Sequence, residues 1–120
     1  MRLLLDTHIA LWSVYEPDRL PYRARALLTA PGAEAFISVA SLWEIAIKNS
    51  KHPGLLPPVA IARADFAEAG FRELPITGAV MAQVESLQTD IHSDPFDRLL
   101  VATAFSEPMR LITHDRKVHA

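Results

Sequence analysis

The chain begins Met-Arg-Leu-Leu-Leu-Asp-Thr-His (residues 1–8). A short apolar run that ends in an acid and a threonine is typical of a buried strand that passes directly into a helix. We therefore predict a strand over residues 3–6 and a helix from a Thr7 cap to about Tyr15. Asp6 then stands at the carboxyl end of the first strand, where parallel sheets bind their ligands.

The rest of the chain repeats this alternation of strand and helix. Strands are predicted at 34–37, 71–76 and 109–113, and helices at 21–29, from Ser38 or Ser41 to about 49, and at 57–69, 77–87 and 94–105. Strands joined by helical crossovers are usually parallel. The predicted fold class is therefore α/β, with a central parallel sheet, helices on both faces, and one domain over residues 1–120.

Composition limits the chemistry. The 120 residues are half hydrophobic, carry a formal net charge of −2 and include no cysteine. The missing cysteines exclude disulfides, thiolate zinc sites and cysteine nucleophiles, and they fit a reducing cytoplasm. No apolar segment is long enough to span a bilayer, and Asp6 interrupts the only candidate signal sequence. The net charge argues against binding nucleic acid by bulk positive charge, but it does not exclude a nucleic-acid enzyme.

Four acids are expected at one edge of the predicted sheet: Asp6, Glu44, Asp97 and Asp115. Each follows a predicted strand or lies near the start of a predicted helix. Clustered carboxylates repel each other by about 3 kcal/mol per pair at about 5 Å and an effective dielectric near 20. A hard divalent cation such as Mg²⁺ or Mn²⁺ is the usual means of neutralising such a cluster.

Each acid also has an ordinary structural interpretation. Asp6 fits a helix cap as well as it fits a metal ligand. Glu44 lies three residues after Ser41 in a capping-box pattern and four residues before Lys48, spaced for a surface ion pair worth about 0.3–0.5 kcal/mol. The apolar neighbours of Glu44 favour the ligand role, because an unpaired buried carboxylate is costly.

The two aspartates near residue 95 have different expected roles. Asp94 precedes a proline and is predicted to cap the helix, with a supporting position beside the site. Asp97 lies one turn further along an apolar helix and is the better ligand candidate, although a first-turn acid or a partner for Arg98 is an alternative. Asp115 follows a strand in what could be an ordinary turn, and the Thr113 hydroxyl could support the site.

Rival chemistries lack their motifs. No His-Glu-x-x-His spacing is present, so a histidine-ligated zinc site is the weaker alternative. His92 or His114 remains a candidate hydrogen-bond donor near a scissile phosphate. No phosphate-binding loop, nucleophile elbow or dinucleotide fingerprint occurs.

In order, residues 3–8, 38–48, 94–104 and 111–115 resemble the motifs of PIN domains, specifically the VapC-like ribonuclease toxins of type II toxin–antitoxin systems. The resemblance implies a three-layer α/β/α fold and a metal-binding quartet of Asp6, Glu44, Asp97 and Asp115 that uses Mg²⁺ or Mn²⁺. It also implies endonucleolytic cleavage of single-stranded RNA, leaving 5′-phosphate and 3′-hydroxyl ends.

Further expectations follow from the same resemblance. We expect a cognate antitoxin, a homodimer and a cytoplasmic location. Arg98, Lys48 and Arg116 are candidates for phosphate contact, with solvated surface charge as the alternative, and Thr7 is a candidate for supporting the site. The chain stops at Ala120, where similar proteins usually continue into another short strand or helix. Two interpretations are open: a missing end that weakens the sheet edge nearest Asp115, or a truncated sequence.

Two other functions are compatible with the predicted fold. A non-catalytic PIN-like module would bind RNA or protein without cutting it. A metal-dependent phosphatase would hydrolyse small phosphate esters and leave RNA intact.

Overall fold

The computed structural model describes residues 1–87 and 94–114. Strands and helices alternate along most of this part of the chain. Four strands occur, β1 (Arg2–Leu5), β2 (Glu34–Ser38), β3 (Arg72–Leu74) and β4 (Arg110–Ile112). The helices are α1 (Thr7–Tyr15), α2 (Tyr22–Leu28), α3 (Val39–Lys51), α4 (Val59–Glu68), α5 (Gly78–Ser86) and α6 (Pro95–Ser106), with a short 3₁₀ turn at Pro17–Arg19 that the sequence did not predict.

The four described strands form one parallel sheet in the order β3-β2-β1-β4. In register, Leu5 at the end of β1 lies between Ile37 and Ile112. Because all these strands point the same way, their carboxyl ends share one edge of the sheet. The predicted parallel sheet is confirmed, and α1 and α3 both begin at this edge.

Both faces of the sheet are covered, which explains why β1 is apolar throughout. Leu3 and Leu5 face a cluster that includes Phe66 of α4, while Leu4 faces the opposite way and packs near Leu100 of α6. A strand buried on both sides shows a continuous apolar run instead of alternation. The arrangement is the predicted α/β/α sandwich of three layers.

The helix starts differ in detail from the prediction. Asp6, and not Thr7, caps α1, because the Asp6 carboxylate accepts a hydrogen bond from the backbone N–H of Ile9. Ser38 caps α3, so Ser41 lies inside the helix and the capping-box interpretation is wrong. Asp94 caps α6 as predicted. Among the described residues, no helix combines the length and apolar character needed to cross a membrane.

Candidate active site

A cavity of about 380 Å³ opens at the carboxyl edge of the sheet, between the first turns of α1 and α6 and the middle and carboxyl half of α3. Its lining includes residues from all three helices and His114 from the end of β4. The charged side chains that line it are Asp6, Glu44, Lys48, Lys51, Asp94 and Asp97. Three of the four predicted acids therefore face one cavity, although they are up to 91 residues apart in sequence.

Asp6 is buried and held by donors from two elements. Its Oδ1 accepts from the backbone N–H of Ile9 at 2.8 Å, and its Oδ2 accepts from the Thr113 hydroxyl at 2.5 Å. The Nδ1 of His114 lies 3.2 Å from the same Oδ2. Asp6 thus caps α1 and also lines the cavity, so its two sequence interpretations are compatible.

Glu44 is fixed from both sides. Its Oε1 accepts from the Thr7 hydroxyl at 2.6 Å, and its Oε2 lies 3.1 Å from the Lys48 ammonium. The Thr7 hydroxyl is also 2.9 Å from Ser41 Oγ; because Thr7 gives its one proton to the carboxylate, Ser41 donates to Thr7. The Glu44–Lys48 ion pair predicted from spacing is present, but the Glu44 side chain is only 14% exposed.

The acids of α6 differ in their surroundings. Asp94 is exposed, and its Oδ1 accepts from the backbone N–H groups of Phe96 at 2.8 Å and Asp97 at 3.2 Å. Asp97 is partly buried and lines the cavity. Arg98 is not part of the cavity lining given by the described residues; its Nη2 donates to the Val84 carbonyl at 3.0 Å. A direct phosphate contact from Arg98 is therefore not supported.

Three predicted residues lie outside the described part of the chain. They are His92, Asp115 and Arg116. Thr113, which directly follows β4, contacts Asp6 as a supporting residue should.

The electrostatics of the cavity favour a cation. In the described part of the lining, four carboxylates stand against two lysines. The amino ends of α1 and α6, capped by Asp6 and Asp94, partly offset the repulsion because each carries a partial positive charge. Burial, assisted by the Lys48 charge, lowers the pKa of His8, so this imidazole stays neutral near pH 7.

Oxygen donors of this kind suit Mg²⁺ or Mn²⁺. Within residues 1–87 and 94–114, however, no three acidic or histidine side chains stand close enough together to enclose an ion. Lys48 lies at the place on Glu44 where a cation would bind. The donor chemistry therefore fits a divalent ion, while its cage is not assembled among the described residues.

Comparison with known proteins establishes the family. A PIN domain family model matches residues 3–120. The chain belongs to the PIN domain family. The resemblance found in the sequence motifs is thus confirmed. The PIN domain is also 33% identical over 119 residues to Ribonuclease VapC22 of Mycobacterium tuberculosis, which covers 98% of this chain and 90% of the relative.

Solved structures with the same fold come from toxin–antitoxin systems. VapBC2 of Rickettsia felis, bound to a promoter DNA fragment, has a TM-score of 0.70 at 19% identity and covers 99% of this chain and 92% of its own. A toxin–antitoxin complex from Klebsiella pneumoniae has a TM-score of 0.64 at 21% identity, with 98% and 90% covered. The M. tuberculosis toxin VapC20, which cleaves the sarcin–ricin loop, has a TM-score of 0.65 at 16% identity, with 98% and 92% covered. At these identities the likeness shows the fold of the PIN domain.

The sequence patterns did not identify two residues that line or support the cavity. Ser41 was considered only as a cap, although it supports Thr7 and through it Glu44. Lys51 lies beyond the predicted helix end near residue 49, although it ends α3 and lines the cavity. The spacing of Glu44, Lys48 and Lys51 by four and three residues would have placed all three on one helical face.

Proposed function

We propose that this PIN domain is a Mg²⁺- or Mn²⁺-dependent endoribonuclease, a VapC-like toxin that cuts single-stranded RNA and is held inactive by a cognate antitoxin. One observation carries the proposal: the cap of α1 (Asp6), the middle of α3 (Glu44) and the first turn of α6 (Asp97) each place a carboxylate in the lining of the same cavity. Family membership and the 33% identity to a ribonuclease support the choice of reaction.

In this proposal Asp6, Glu44 and Asp97 hold the metal directly or through water, and Asp115 assists them. A bound divalent cation supplies an activated water and neutralises charge on the phosphoryl oxygens. Such a reaction needs no covalent enzyme intermediate.

The chain's own residues position these ligands. The Ile9 N–H and the Thr113 hydroxyl fix both oxygens of Asp6, and Thr7 fixes one oxygen of Glu44. These contacts reduce the reorganisation that metal and substrate binding would require. Lys48 lines the same cavity and would be the residue to contact an RNA phosphate there.

The proposed partners follow from the relatives. Two structural neighbours are toxin–antitoxin assemblies, which supports a small antitoxin as the inhibitor of this chain. The proposal includes a homodimer, which the family resemblance implies. It also includes a cytoplasmic location, because the expected substrate is cellular RNA.

One observation favours a second candidate, a non-catalytic module that binds RNA or protein. Lys48 neutralises Glu44 without any metal, and no cage of three acids is assembled in the described residues. A module of this kind would bind RNA equally well with and without a chelator and would cleave no RNA of any sequence.

The test is an RNA cleavage assay with mapping of both product ends. We expect wild-type protein to cut in Mg²⁺ or Mn²⁺, to stop in chelator and to resume when metal is restored. Asp6→Asn should reduce cleavage at least a thousandfold, because it removes about 4 kcal/mol or more of charge interaction with the cation. The matched control is Asp18→Asn, the same change on an exposed turn residue, which should cut normally.

Asp6→Asn should stay folded, because asparagine caps helices about as well as aspartate. Cleavage by Asp6→Asn at the wild-type rate would refute the assignment. Turnover of a small phosphate ester with RNA left intact would identify a phosphatase instead.

A further inference from the structure

A second cavity, the α1–α3 groove, adjoins the candidate active site. It has a volume of about 540 Å³ and lies between α1, the carboxyl end of α3 and the segment that follows α3. The aromatic and charged or titratable residues considered in this groove are Trp12, Glu16, Arg19, Lys48, Lys51 and His52. Lys48 and Lys51 line both cavities, so the groove leads directly into the acidic site.

The two cavities have opposite charge. Arg19, Lys48 and Lys51 stand against Glu16 in the groove lining, whereas carboxylates outnumber lysines in the active site. Glu16 is already paired with Arg19 at 3.5 Å. In an RNA strand whose scissile phosphate lies among carboxylates, the neighbouring phosphates are stabilised by nearby positive charge. The groove provides this charge directly beside the active site.

The groove also contains a cation–aromatic pair, formed by Arg19 and Trp12. The Arg19 guanidinium lies 5.0 Å from the centre of the Trp12 ring. The ring of His114, whose Nδ1 lies 3.2 Å from Asp6, is 5.2 Å from Trp12 on an edge-to-face geometry. Nucleobases stack on aromatic rings and on guanidinium planes without regard to base identity. The Arg19–Trp12 pair is therefore connected through His114 to the proposed catalytic carboxylate.

We infer that the α1–α3 groove binds the nucleotide next to the scissile phosphate, with Arg19 and Lys51 contacting backbone phosphate and the Arg19–Trp12 pair stacking on a base. The inference rests on the proposed ribonuclease function, since RNA is the assumed substrate. A peptide is the less suitable occupant, because the combination of cations, a stacking plane and continuity with the acidic site matches a nucleotide strand.

The test uses the double variant Arg19→Gln/Lys51→Gln in the full chain. The matched control is Arg63→Gln/Arg72→Gln, which removes the same charge from side chains that line neither cavity. Like Arg19, both control arginines are in surface ion pairs, with Glu73 at 2.8 Å and with Glu34 at 3.4 Å. Thermal unfolding of both variants checks that they are folded.

Binding is measured in the Asp6→Asn background, so that the probe is not cut. The probe is a fluorescein-labelled pool of short single-stranded RNA of random sequence, followed by anisotropy at several salt concentrations. We expect the groove variant to bind roughly tenfold more weakly, since each exposed ion pair contributes a factor of up to about five. The slope of log affinity against log salt should fall by about 1.4, or 0.7 for each lost phosphate contact.

Cleavage by the otherwise wild-type chain gives a second readout. Arg19→Gln alone should raise KM with kcat nearly unchanged, because among the described lining residues Arg19 belongs to the groove and not to the active-site cavity, so its loss removes substrate binding away from the reacting atoms. The control should match wild type in both assays.

Each result bears on one proposal. If wild type cuts RNA and the groove variant behaves like the control, the groove inference is wrong and the ribonuclease proposal stands. If wild type cuts no RNA but the groove variant still weakens binding and the salt slope, the ribonuclease proposal fails and the groove stands as an RNA site. If wild type binds no RNA in the anisotropy assay, the groove inference is wrong.

Discussion

The substitution Thr7→Val tests whether the Thr7 hydroxyl holds Glu44 in position. Valine has nearly the same shape as threonine but has no hydroxyl. In the structure that hydroxyl is buried, donates to Glu44 Oε1 at 2.6 Å and accepts from Ser41 at 2.9 Å. The substitution therefore removes both hydrogen bonds at once and leaves Glu44 with Lys48 as its remaining described partner.

The expected loss of stability is about 2–3 kcal/mol. A hydrogen bond to a charged group contributes about 1.5–3 kcal/mol, and an unsatisfied buried hydroxyl such as that of Ser41 costs about 1 kcal/mol or more. The sum is reduced because Glu44 keeps its ion pair and some access to water. A domain with a typical stability of about 5–15 kcal/mol stays folded after this change.

Cleavage should fall about 10- to 100-fold, the usual effect of losing a residue that orients a metal ligand. The assays are urea unfolding followed by tryptophan fluorescence, and RNA cleavage in Mg²⁺. Thr7→Ser is the matched control: it keeps the hydroxyl, loses about 1 kcal/mol with the methyl group and should retain most activity. If Thr7→Val equals Thr7→Ser in both stability and cleavage, Thr7 does not position Glu44 as described.

Two further predictions concern the scaffold. Asp94→Ala should lower the free energy of unfolding by about 1 kcal/mol through loss of the α6 cap, while Asp94→Asn should change it by less than about 0.5 kcal/mol; equal effects in urea unfolding would contradict the capping role. Phe66→Ala, which empties the core between α4 and the sheet, should cost about 3–5 kcal/mol; a loss below about 1 kcal/mol would show that this core is not packed as described.

The overall fold was readable from the sequence because its signals are local and repeated. The apolar run of β1 predicted a strand buried on both faces, and the Asp94-Pro95 pair predicted the start of α6. Strands joined by crossover helices are usually parallel, which placed Asp6 and the start of the helix that carries Glu44 near one edge of the sheet. Asp97 reaches that edge only if its own helix also begins there, and in the structure Asp97 lines the same cavity.

The residue that caps each helix could not be predicted from the sequence, because neighbouring residues were equally able to act as the cap. Asp6 and Thr7 are both good caps; in the structure Asp6 accepts the capping hydrogen bond from Ile9, while the Thr7 hydroxyl donates to Glu44 in another helix. Ser41 and Glu44 form a capping-box pattern, but β2 extends to Ser38 and the helix begins there. Tertiary contacts override such local patterns when both alternatives are nearly equal in energy.

The α1–α3 groove was beyond the sequence for a different reason. Arg19 comes from a 3₁₀ turn that was not predicted, and it reaches Trp12 of α1. Lys51 lies beyond the predicted helix end near residue 49, although α3 continues to Lys51. Surface charges have no periodic signal that links separate elements, so their convergence is visible only in three dimensions.

The most direct test of the proposed metal-dependent site is a titration of Mn²⁺ into metal-free protein, with free Mn²⁺ followed by electron paramagnetic resonance. Wild type should bind Mn²⁺ saturably, and Glu44→Gln should bind it at least tenfold more weakly while remaining folded. Equal binding by the two proteins, or RNA cleavage by wild type in excess chelator, would contradict the claim that these carboxylates hold the catalytic cation.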